Sequence, residues 1–141
     1  MNYVFNTENF KRYRFPTHIN DLVMDRSEAT SSEVFIVVLA HGEAPPLHQH
    51  DDTEQIFYVL SGQGRLEIGT EGEQYPVKPG DVVRIPPETL HKIECLSDTP
   101  LRYLAVDCFP NGRPDVEPTW DDHVKTICQQ QGWAYEMVIK G

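Results

Sequence analysis

Two histidines one residue apart, His48 and His50, are the first side chains in this chain whose type and spacing could do chemistry. They stand just ahead of a strand-like run, Gln55 to Leu60, and in an extended chain residues i and i+2 point the same way, so two imidazoles can meet one ion. An oxygen donor follows at Glu54 or Gln55, but strand neighbours face opposite ways, so only one of them can share that side. His91 ends a second punctuated stretch, PGDVVRIPPETLH from Pro79, and is the candidate fourth ligand. Three imidazoles and one oxygen make a nitrogen-rich site for one divalent transition metal ion: Zn, Fe, Ni, Mn, Co or Cu.

Holding these groups together calls for strands. Val34 to Ala40, VFIVVLA, is apolar on both faces and Gln55 to Leu60 nearly so. Such runs predict cover on both sides, one side by the core and the other by a second subunit, so a homodimer is expected. Leu66 and Ile68 alternate with Arg65 and Glu67 between turn signals at Gly69, Gly72 and Pro79-Gly80, which predicts a hairpin, and LRYLAVDCF from Leu101 is a further strand. Upstream, Tyr13 and Phe15 alternate with Arg12 and Arg14 in a short edge strand, and Asp25 to Glu33 reads as a loop. Downstream, Thr119 and Asp122 have capping-box spacing, and Trp120, Val124, Ile127 and Cys128 share one face of a helix ended by Gly132. His123 is then expected to be peripheral, and neither it nor His18 nor His41 has a partner at ligand spacing.

The two punctuated stretches, in this order, resemble the paired motifs of the cupin family. Gly42, five residues, His48 and His50, then Gly62 follow the first motif, and with six residues between it and Gly62 stands Gln55, where that motif most often has glutamate. Gly80, Pro86 and His91 follow the second, with Glu88 where glycine is usual and Cys95 where asparagine is usual. The resemblance covers residues 34–110 and implies an all-β fold, a jelly-roll β-barrel with a short C-terminal helix. Residues 1–33 would be an N-terminal arm and edge strand, and 111–141 a loop, helix and tail packed on the barrel, in one domain. It also implies His48, His50, Gln55 and His91 as metal ligands, with Glu54 replacing Gln55 if the turn Asp51 to Thr53 shifts the register by one. Phe57 and Cys95 are candidate pocket residues, Cys95 because it shares a side of its strand with His91. The facing of Arg65, Arg84, Tyr58 and Tyr103 is left open.

A divalent ion among three neutral imidazoles and a neutral amide keeps its full charge, whereas a carboxylate would cancel half of it. The strong Lewis acid so formed suits a lyase, isomerase or cyclase acting on a small anionic or enolisable substrate, a sugar acid or keto compound. Cupins with a His-His-Gln-His set among uronate-processing and polyketide-cyclising proteins are similar in this respect. An oxygen-dependent cupin dioxygenase is the alternative, and a non-catalytic ligand-binding or sensing protein the second; no general base is evident. The formal charge of −10 argues against nucleic-acid binding, which needs clustered Lys and Arg. The longest apolar run is too short to span a bilayer and the first residues lack a signal-peptide core, so no membrane association and a cytoplasmic location are expected. Three cysteines without CxxC spacing fit free thiols.

Overall fold

Alternation of buried and more exposed side chains runs through most of the central strands of this molecule. The computed structural model describes residues 2–141. In chain order its strands are β1 (Lys11–Arg14), β2 (Ile19–Met24), β3 (Ser32–Leu39), β4 (Glu54–Ser61), β5 (Gly64–Ile68), β6 (Glu73–Val77), β7 (Val82–Ile85), β8 (His91–Cys95) and β9 (Leu101–Cys108). Two helices follow, α1 (Trp120–Gln131) and α2 (Tyr135–Val138). One sheet has the order β1-β2-β3-β9-β4-β7 and the other β6-β5-β8, all pairs antiparallel. The jelly-roll class expected from the sequence is the class observed, but the two sheets do not close into one continuous ladder. The isolated pair His48 and His91 ties the segment ahead of β4 to β8 of the smaller sheet.

β9 shows the rule at its cleanest: Leu101, Tyr103, Ala105 and Asp107 are buried while the residues between them are half-buried. Gln55, Phe57 and Val59 of β4 and Glu33, Phe35, Val37 and Leu39 of β3 line up beside them in the core-facing rows. Leu66 of β5 and Ile93 and Cys95 of β8 meet these rows from the other sheet. Gly62, at the end of the first motif, turns β4 into β5 at φ +77°, and a Cβ there would lie 2.4 Å from the Pro100 carbonyl oxygen, so only glycine fits.

The N-terminal segment departs from the expectation of an arm with one edge strand. Residues 19–24 form a second strand, paired to β3, and Glu33 belongs to β3 rather than to a loop. The reason is tertiary: Arg26, buried in a short 3₁₀ turn, clamps Glu33 with two hydrogen bonds of 2.7 and 2.9 Å, so both charges can leave water together. The C-terminal helix follows the sequence. Thr119 and Asp122 form the capping box, Trp120, Val124 and Cys128 are buried, and Gly132 caps the end in the left-handed conformation. No helix among the described residues is long and apolar enough to cross a membrane.

Candidate functional site

Backbone bonds bring the histidines together. The N–H of His48 donates to the His91 carbonyl at 3.1 Å and that of His91 returns the bond at 2.9 Å, which clips the HxH segment to the first residue of β8. One turn earlier the N–H of Glu88 donates to the His50 carbonyl at 2.6 Å, and Glu88 holds the left-handed φ of +61° that glycine takes more easily. Three imidazoles result, each offering a nitrogen within 4.8 Å of the others. A metal ion can be held there.

The ring nitrogens are sorted by their neighbours. Nδ1 of His48 lies 2.5 Å from the Pro46 carbonyl oxygen and Nδ1 of His91 lies 2.8 Å from that of Thr89. A carbonyl only accepts, so Nδ1 carries the proton and the Nε2 lone pair is free for a ligand. Burial, and then the neighbouring histidines, lower His50 to about 3 and His91 to about 4, and burial lowers His48 too. All three are therefore neutral at pH 7, the form that binds metal.

Gln55 and Glu54 separate as strand neighbours must. Gln55 faces the same cavity as the histidines, its Nε2 donating to Asp107 Oδ1 at 2.8 Å while its Oε1 is buried without a partner among the described residues. A buried carbonyl oxygen left bare on a residue that shares its cavity with three imidazoles fits a metal-ligand role. Glu54 points to the outer face, bonded by Arg84 at 2.8 Å, and does not reach the cavity. Arg65 is likewise outside, paired with Glu94, and Tyr58 is exposed, whereas Tyr103 lines the cavity with Phe57. Cys95 does not: its thiol is enclosed among the backbone oxygens of Ser97 and Thr99. It shares His91's side of β8, but four residues further along it has entered the core.

The cavity measures about 460 Å³, the size of a small-molecule pocket. His18 and His123 join its wall, so five of the six histidines face one space and the expected peripheral place of His123 is corrected. Helix α1 carries His123 to the cavity wall, where its Nδ1 meets Glu117 Oε1 at 3.1 Å, and this bond first of all holds Glu117 down to about 2. Burial lowers His18 to about 3, and its ring stacks on Phe15. Asn20 and Trp120 also line the cavity, and Asn20 Oδ1, Trp120 Nε1 and Gln55 Oε1 are the buried side-chain polar atoms without partners among the described residues. Asp107 and Glu33 were legible in principle, since the inward alternation of β9 and β3 runs straight through them. Nothing local marks His18 or His123, which arrive from opposite ends of the chain.

The model of the cupin domain family matches residues 35–107, just over half of the chain and the part that carries His48, His50, Gln55 and His91. The chain is 38% identical over 76 residues to protein MJ1618 of Methanocaldococcus jannaschii, covering 54% of this chain and 59% of that one. It is 33% identical over 92 residues to quercetin 2,3-dioxygenase of Bacillus subtilis, covering 64% of this chain but only 27% of the enzyme. Among solved structures, the polyketide cyclase RemF of Streptomyces resistomycificus superposes with a TM-score of 0.67 at 22% identity, over 82% of this chain and 86% of that one. At that identity the likeness is one of fold. His18, Asn20, Glu117, Trp120 and His123 all lie outside the matched segment.

Proposed function

Because this chain belongs to the cupin family, whose members share a fold and not one reaction, we propose its chemistry from the site itself: a metal-dependent lyase, isomerase or cyclase acting on a small anionic or enolisable substrate. One divalent ion would be held by His48, His50, Gln55 and His91. The observation that carries this reading is the donor set, three neutral imidazoles and the bare amide oxygen of Gln55, with no carboxylate in it. Such a set supplies a Lewis acid of undiminished charge to a carbonyl or carboxylate oxygen.

The chain's own groups do the rest. Phe57, Tyr103 and Ile93 keep water from the reacting carbon, and His123, its Nδ1 engaged by Glu117, leaves Nε2 to take up and return a proton. The dioxygenase alternative is favoured by the identity to the quercetin enzyme and weakened by the outward Glu54, which removes the carboxylate an iron site of that kind commonly uses.

Metal-loaded protein incubated in D₂O with uronates, 2-oxo acids and β-diketones, followed by proton NMR and an oxygen electrode, tests the proposal. The expected result is metal-dependent C–H exchange or product formation with no oxygen uptake. His48→Ala and His91→Ala each lose the metal by elemental analysis, and with it the activity, while keeping the far-UV circular dichroism of the fold. Oxygen uptake matching turnover would make the protein a dioxygenase, and saturable binding with neither signal would make it a binding protein.

A further inference from the structure

Three polar side chains stand in one row across three neighbouring strands. Glu33 of β3 is the registered partner of Asp107 of β9, and Asp107 is the registered partner of Gln55 of β4. All three are buried, at 0, 5 and 6% exposure, which is far from the usual place of carboxylates. Their hydrogen bonds converge on the two carboxyl groups: Arg26 donates through Nε and Nη2 to Glu33 from one end, Gln55 Nε2 donates to Asp107 Oδ1 from the other, and Asp107 shares a hydrogen bond with Glu33 between them. The row ends in Gln55 Oε1, which has no partner among the described residues and belongs to a residue lining the histidine cavity.

An amide has two ends of similar size and opposite function, one that donates and one that accepts. Left to rotate, Gln55 could offer either end to the cavity. Asp107 removes that freedom, because a carboxyl oxygen facing the amide accepts from Nε2 and turns Oε1 the other way. We propose that Asp107 is a positioning residue for the metal centre: by holding Gln55 Nε2 it orients Oε1 toward the three histidines, and through Glu33 and Arg26 it ties this ligand to the N-terminal segment outside the matched family region. The same row accounts for glutamine rather than glutamate at position 55. A glutamate there has no N–H to give Asp107 and would set one carboxylate against another in a buried line, which only a shared proton would relieve.

This inference rests on the metal centre proposed above, and Co(II) serves as the probe because its visible bands report the donor set as well as occupancy. Co(II) affinity and spectrum are compared for the full chain and for Asp107→Leu, Gln55→Leu, the double variant and Asp107→Asn, with far-UV circular dichroism checking the fold. Removing an outer partner of a metal ligand costs about 10- to 100-fold in affinity. Asp107→Leu is expected to weaken Co(II) binding by that order and change the spectrum as Gln55→Leu does. The double variant is expected to bind no more weakly than Gln55→Leu alone, since the positioning residue has nothing left to position. Asp107→Asn, whose oxygen can accept from Gln55 and whose amide can donate to Glu33, is expected to keep the wild-type affinity and bands, and it covers the case in which the leucine variant fails to fold. Additive losses in the double variant, wild-type behaviour of a folded Asp107→Leu, or loss of the bands in a folded Asp107→Asn would each overturn the proposal. A wild-type protein that binds no Co(II) would overturn it together with the metal centre.

Discussion

A metal-binding imidazole has to be buried enough to shed its proton and bonded enough to keep its orientation. His48 and His91 meet both demands through the Pro46 and Thr89 carbonyls, and His18 pairs its Nδ1 with the Thr17 hydroxyl at 2.9 Å. Burial without protonation has a consequence for pH. His18, His50 and His91 are lowered to about 3, 3 and 4 in the folded chain, whereas an unfolded histidine titrates near about 6.5. Between these values the unfolded state binds protons that the folded state refuses, so stability rises with pH in that window and is lost on acidification. Urea unfolding of the metal-free protein is expected to show stability falling from pH 6.5 toward pH 4, by up to about 1.4 kcal/mol per pH unit for each such histidine. His18→Gln should remove one histidine's share of that slope, and a curve flat over the window would contradict the burial of all three.

At the scale of elements, short turns and one helix decide what meets the cavity. The turn before β8 carries His91 into place and anchors His50 through Glu88, a non-glycine residue in the left-handed region. Such a residue stores about 1 kcal/mol of backbone strain, so Glu88→Gly is expected to raise stability by about that much in thermal or urea melts while leaving metal content unchanged. A destabilised variant would mean that the Glu88 side chain contributes more than its backbone costs. Helix α1 was legible in the sequence because its capping box and apolar stripe are local signals. That it lies over the cavity and brings His123 to Glu117 was not, because this depends on the path of the loop from residue 109 to 119, where no periodicity exists to read.

Across the whole molecule, the apolar outer face of the larger sheet is covered unevenly. Ile36, Leu104, Tyr58 and Val82 form one outward row through β3, β9, β4 and β7. Ile36 is closed off within the protomer, but Tyr58 is 46% and Val82 66% exposed. The continuous apolar character of β3 is thus largely answered inside the chain, and the homodimer expected from it would use the β4 and β7 end of the row. Light scattering after size exclusion is expected to find a dimer for the wild type and a monomer for the double variant Tyr58→Lys, Val82→Lys, with metal content unchanged. A monomeric wild type would remove the expectation.

The alternating strands, the paired motifs and the three histidines were legible from residue order alone, since strand parity and motif spacing are properties of neighbours along the chain, whereas the choice between positions 54 and 55 stayed open until the fold turned Gln55 into the cavity and Glu54 out to Arg84. The tertiary structure alone decided which groups surround them. Glu33, Asp107 and Gln55 become one buried row, anchored by Arg26, only when three strands fall into register, and His18 and His123 join the three-histidine cluster in one cavity only when both ends of the chain fold over it. A charge can leave water only where its partner already waits, and that partner is set by packing rather than by spacing.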